Sequence, residues 1–143
     1  MATEEELIAD VLRKEPQEYK QWVCEQVGAV RETRKPSHKY PDGYIHEINT
    51  CIIAKQSHHV GKKDYEKASL LLSAEEKYKH IIIIAFAFDK NIIELADRDA
   101  QMRINLITVK ELLKENYFSR LFKNINDIDN PTALRKVFKG MKI

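Results

Sequence analysis

The stretch His80-Ile81-Ile82-Ile83-Ile84-Ala85-Phe86-Ala87-Phe88 decides the fold, because its apolar residues run unbroken until Asp89. A run this short cannot span a bilayer, and it lacks the alternation of a half-exposed strand. It predicts a central strand covered on both faces. Upstream, residues 44–48 and 51–55 form two further β-like runs, and Asn49-Thr50 between them predicts a tight hairpin turn. The second run, Cys-Ile-Ile-Ala, also lacks alternation and is expected to be buried on both sides. Residues 62–78 read as a helix whose apolar face carries Tyr65, Ala68, Leu71 and Leu72. Downstream, a helix over 91–101, a short strand over 104–107 and a helix over 109–122 complete the alternation.

The N-terminal part adds two helices. Residues 4–14 carry Leu7, Ile8, Val11 and Leu12 at helical spacing, and Pro16 closes that helix and opens the next. Tyr19, Trp22, Val23 and Val27 share one face of the second helix, with Gly28 as its C-cap. Residues 30–40 are polar and basic and read as a loop facing solvent or a ligand. Strands alternating with helices predict an α/β three-layer sandwich, its mixed central sheet of about four strands flanked by helices. One domain over 1–123 is expected, followed at 124–143 by a tail or linker with one weak helix.

Composition narrows the function classes. The chain has 143 residues, 24 Lys and Arg against 22 Asp and Glu, so any nucleic-acid surface must be local rather than global. Cys24 and Cys51 lie in apolar segments without metal-ligand spacing and read as buried free thiols of a reducing compartment. The acidic start MATEEELIAD lacks an apolar signal region, so a soluble, cytoplasmic protein with no membrane partner is expected. There is no Gly-rich phosphate loop, no G-x-S-x-G elbow, and no Gly-rich cofactor loop or Asp-Pro-Pro-Tyr-like segment of a methyltransferase.

The segment Pro41-Asp42 … Ile53-Ala54-Lys55 has ten residues between the Pro-Asp pair and a triplet ending in Lys. That spacing resembles the PD-(D/E)xK nucleases, with Ile53 where the second acid belongs. The resemblance extends over about 16–114. PQEYKQWVCEQVGA (16–29) looks like the first helix of the restriction-endonuclease-like domains of Mrr-type nucleases and of those joined to some DNA methylases. IIAKQSHHVGKKDYEKA (52–68), HIIIIAFAFDKN (80–91) and INLITVKELLK (104–114) are similar to the later strands and helices of the methylase-associated branch. The Gly-Gly-Ile that precedes the family's Asp is replaced by Lys39-Tyr40-Pro41.

The resemblance implies roles. Asp42 would hold Mg²⁺, Lys55 would orient the attacking water and offset charge on phosphorus, and Glu18 matches the family's helix Glu as a third catalytic and second metal-binding residue. By strand alternation Asp42, Tyr44 and His46 would share one side, with Glu47 facing away. Gln56, Ser57, His58, His59, Lys62 and Lys63 form a polar, basic edge running to a helix N-terminus, suited to DNA phosphates. Arg34, Lys35 and Lys39 from the preceding loop would complete a basic cleft around Asp42. The expected function is a duplex-DNA-binding domain of a restriction-modification or DNA-processing system, with cleavage weakened or lost at Ile53. A DNA methyltransferase domain or subunit is its implied partner, and a homodimer stays open. The alternatives are an active endonuclease that recruits Glu18, and an interaction or regulatory module that retains only the scaffold.

Overall fold

The computed structural model describes residues 2–35, 39–74, 76–99 and 103–114. Helices α1 (Glu4–Leu12) and α2 (Pro16–Val27) precede strands β1 (Val30–Arg31), β2 (Gly43–Ile45) and β3 (Thr50–Ala54). Helix α3 (Lys62–Ala74), strand β4 (His80–Ala85), helix α4 (Lys90–Arg98), strand β5 (Ile104–Thr108) and helix α5 (Val109–Lys114) follow. The strands form one sheet in the order β1-β2-β3-β4-β5. The β1–β2 and β2–β3 pairs are antiparallel, while β3–β4 and β4–β5 are parallel.

Strand β4 is an interior strand between β3 and β5, buried along its whole length. Its side chains divide between the two faces of the sheet despite the absence of any alternation in the sequence. Ile82 and Ile84 pack with Tyr19, Val23 and Val27 of α2, Val11 of α1 and Leu112 of α5. Ile81, Ile83 and Ala85 pack on the other face with Ala68, Leu71 and Leu72 of α3 and Ile92 of α4. The result is an α/β sandwich in which a mixed sheet is covered by helices on both sides. Each fully buried isoleucine contributes about 1.5–3 kcal/mol relative to exposure, which makes this run the chief anchor of the core.

Local signals set the helix ends. Thr3 Oγ1 accepts the Glu6 N–H at 3.1 Å, and three glutamates in the first turn of α1 complement its dipole. Pro16 opens α2, and Gly28 closes it in the left-handed region at φ 69°.

Five strands stand where four were expected. The added strand β1 lies in the segment read as loop, since Val30 and Arg31 pair with Tyr44 and Gly43. The β2–β3 connection is also longer than a two-residue turn. His46–Ile48 curls into a 3-10 turn, Asn49 takes φ 48°, and Ile48 turns into the α1/α2 core. His46 and Glu47 therefore leave the sheet, and their expected alternation along a strand does not apply. Strand β4 ends at Ala85, with Phe88 making an isolated parallel bridge to Val60. Helix α3 ends at Ala74, so Tyr78 joins the core from outside it. The expected continuation of α5 to 122 and the 124–143 tail lie outside the described residues. Both cysteines are free and buried, as read from the sequence.

Candidate functional site

Lys55 follows the carboxyl end of β3, where in α/β sheets side chains escape the packed layers and ligand sites collect. One step beyond the Gly43–Ile52 pair, the antiparallel register sets Asp42 opposite Ile53. Asp42, Ile53 and Lys55 consequently line one cavity of about 970 Å³, roofed by the start of α2, the first two turns of α3 and the residues around β1. Among its described lining residues are six cations, Lys20, Arg31, Arg34, Lys35, Lys55 and Lys67, and three anions, Glu32, Asp42 and Asp64. Of the residues expected around Asp42, Arg34, Lys35, Lys55 and Gln56 line this cavity, joined by Lys20, Arg31 and Lys67.

Asp42 is held from three directions. Its Oδ1 lies 2.9 Å from Lys20 Nζ, and its Oδ2 accepts the Ala54 N–H at 2.8 Å. Its backbone carbonyl accepts from Arg31 Nη1 at 3.0 Å and from the Glu32 N–H at 2.9 Å. Gly43 is required beside it by close approach. A Cβ there would stand 2.6 Å from Cys24 Sγ and 2.9 Å from the Val30 carbonyl oxygen. The Asp-Gly pair, which reads equally as a plain turn, is a place where α2 approaches the sheet closely.

Lys55 has its own counter-ion. Its Nζ lies 3.6 Å from Asp64 Oδ1, and Asp64 Oδ2 accepts the Gly61 N–H at 3.0 Å across the first turn of α3. The Tyr19 hydroxyl donates toward the Lys55 carbonyl at 3.0 Å and the Ile84 carbonyl at 3.3 Å, tying α2 to the ends of β3 and β4. Burial, and secondarily the charge of Asp42, pushes the Tyr19 phenol well above its ordinary range. It acts as a neutral donor. Burial also pushes the Cys24 thiol up to about 11, which leaves it unreactive at neutral pH.

At the cavity mouth Arg34 donates to both Glu32 oxygens at 2.9 Å, stands 3.6 Å above the Tyr40 ring, and donates to the Tyr44 hydroxyl. That hydroxyl donates in turn to Glu32. The Arg34 hydrogen bonds hold the Glu32 carboxyl down to about 2, with Tyr44 adding to the effect.

Several expected site residues stand elsewhere. Glu18 is exposed on another side of α2, in a shallow depression with Gln21, Trp22 and Glu25, because Tyr19 points into the core and Lys20 takes the cavity side. Gln56 reaches the cavity lining, but its amide donates to the Leu12 carbonyl at 3.0 Å and the Lys14 carbonyl at 2.7 Å, capping the end of α1. Ser57 Oγ accepts the His59 N–H at 3.0 Å, and His58 packs on Phe86 with ring centroids 5.3 Å apart. Lys62 and Lys63 are exposed and do not line the cavity, and Lys39 is exposed beyond its lining. Sequence reasoning missed Lys20, Arg31, Asp64 and Lys67. Asp64, Lys67 and Leu71 recur at the i, i+3, i+7 spacing of one helix face, a signal already present in the chain.

The donor set does not fit Mg²⁺. Both carboxylate oxygens of Asp42 are engaged, Ile53 offers no oxygen to stand as the second acid, and among the described residues no group of three His, Cys, Asp or Glu side chains is placed to hold an ion. The Lys20 ammonium would also oppose the ion. Two unit charges 4 Å apart repel by about 4 kcal/mol at an effective dielectric near 20, and a divalent ion doubles that.

The fold and site define an α/β domain with one charged cavity at the carboxyl end of a mixed sheet. No family model, curated protein or solved structure matches the chain. Among the described residues no helix is long and apolar enough to cross a membrane.

Proposed function

We propose that the chain is a DNA-binding domain of restriction-endonuclease-like fold, belonging to a restriction-modification or DNA-processing system, in which phosphodiester cleavage has been lost. One observation carries the reading: Asp42 and Lys55 line a single cavity whose described walls carry twice as many cations as anions, with apolar Ile53 in the same lining. The retained pair matches the nuclease motif, and the excess of cations suits a phosphate backbone rather than an acidic metal centre. A DNA methyltransferase domain or subunit is the partner that the family resemblance implies. Loss of Glu18 from the cavity removes the support for an active enzyme that recruits it.

Fluorescence anisotropy with a labelled duplex at several salt concentrations tests the proposal. Lys35→Ala and Lys67→Ala should each weaken binding similarly for all sequences and reduce the salt slope by about one unit. Lys62→Ala and Lys63→Ala, on the outer surface, should change it less. Binding that ignores salt and all four substitutions would favour the scaffold-only alternative. Mg²⁺-dependent nicking by the unaltered protein would overturn the loss of cleavage.

A further inference from the structure

We infer that the Lys20 ammonium takes the place of a divalent cation at Asp42, so that the cavity binds nucleic-acid phosphate without a metal. This rests on the phosphate-binding reading above for its ligand, but its central claim concerns Asp42 alone. A metal centre of the nuclease type would use Asp42 together with an acid at position 53. Here an isoleucine, Ile53, stands in place of the acid, and the charge that Asp42 needs comes from Lys20 at 2.9 Å. The pair is largely withdrawn from water, with 26% and 16% of the two side chains exposed. Its geometry is fixed on both sides. The Ala54 N–H holds the second carboxylate oxygen at 2.8 Å, and the neighbouring Tyr19 hydroxyl pins the same turn of α2 to the carbonyl ends of β3 and β4.

One ammonium carries a single charge, so it neutralises Asp42 and leaves no surplus of its own, whereas Mg²⁺ would leave one. It also keeps two N–H donors beyond the one spent on Asp42. On the opposite side of Ile53, Lys55 and Asp64 repeat the arrangement at 3.6 Å. A phosphate entering between the two pairs meets ammonium donors from both, with the remaining cations of the wall supplying net attraction. Positioning is therefore built from α2 and α3 rather than from an ion.

The test uses the full chain with Mn²⁺ alone as the metal probe, read by electron paramagnetic resonance, and a short labelled duplex read by anisotropy at matched ionic strength. The unaltered protein should show no saturable one-to-one uptake of Mn²⁺, and its duplex affinity should be the same in EDTA as in Mg²⁺. Lys20→Met, checked for folding by thermal melting, should lose roughly tenfold in duplex affinity in EDTA, the scale of one lost charged contact. Ile53→Glu, which restores the second acid, should take up no Mn²⁺ while Lys20 still occupies Asp42, whereas the folded double variant Lys20→Met/Ile53→Glu should take up one ion. Lys20→Arg should behave like the parent. Stoichiometric Mn²⁺ uptake by the parent, loss of its duplex binding in EDTA, or equal Mn²⁺ uptake by Ile53→Glu with and without Lys20→Met would each overturn the inference. If no form binds duplex at all, the DNA-binding reading fails, and the Mn²⁺ titrations still decide the role of Lys20.

Discussion

Lys55 and Gln56 are neighbours in the chain, yet they belong to regions with opposite tasks. Lys55 turns into the cavity to face Asp64, as part of a charged wall assembled from α2, α3 and the sheet. Gln56 turns back to cap the carbonyls that end α1, and Ser57 and His58 close the same turn against backbone and Phe86. The difference shows how a polar stretch can be divided between binding and architecture. Backbone carbonyls at a helix end lack intrahelical donors, and a nearby amide that supplies them is no longer available for a ligand. Charges with a counter-ion across a cavity remain within reach of one.

The strongest blow to this division is Gly43→Ala. The added Cβ would collide with Cys24 Sγ and a backbone carbonyl, separating α2 from the sheet and carrying Asp42 away from Lys20. A loss of about 3 kcal/mol in urea unfolding is expected, together with weaker duplex binding. Near-normal stability would mean that this contact is slack. A smaller effect sharpens the comparison from the other side. Gln56→Ala should cost about 0.5–1.5 kcal/mol by removing the amide that caps the α1 carbonyls, while duplex affinity measured well below the melting temperature stays unchanged. A selective loss of affinity would return Gln56 to the phosphate-binding set.

The smallest effect concerns the clasp at the cavity mouth and its response to acid. The Glu32 carboxyl is held down to about 2 by Arg34 and Tyr44, whereas an unfolded glutamate titrates near 4.3. A depressed carboxylate contributes stability above its unfolded value and loses it as pH falls through the folded one. Stability should therefore decline between about pH 4.3 and 2, and Glu32→Gln should flatten that part of the profile in pH-dependent melting. An unchanged slope would mean that other carboxylates dominate acid unfolding.

Much of the architecture was legible in the chain. The unbroken isoleucines of β4, the Pro16 start and Gly28 stop of α2, and the alternation of strands with helices predict an α/β sandwich from burial and backbone preference alone. The two-residue strand β1 was not legible, because Val30 and Arg31 carry no pattern of their own and are paired only by β2. In the candidate site, Asp42, Lys55, Arg34 and Lys35 were named from the chain and do line the cavity. Glu18 lies outside the cavity, since two helical steps of about 100° each separate its direction from that of Lys20.

The sequence by itself determined which segments are buried, where α2 begins and ends, and that position 53 holds no acid. Each of these follows from residue identity or from contacts a few residues apart. The tertiary structure alone decided which charges face one another. Lys20 meets Asp42 and Lys55 meets Asp64 because α2 and α3 dock on the two faces of the same sheet end, and a side chain's counter-ion depends on that docking rather than on its neighbours in the chain.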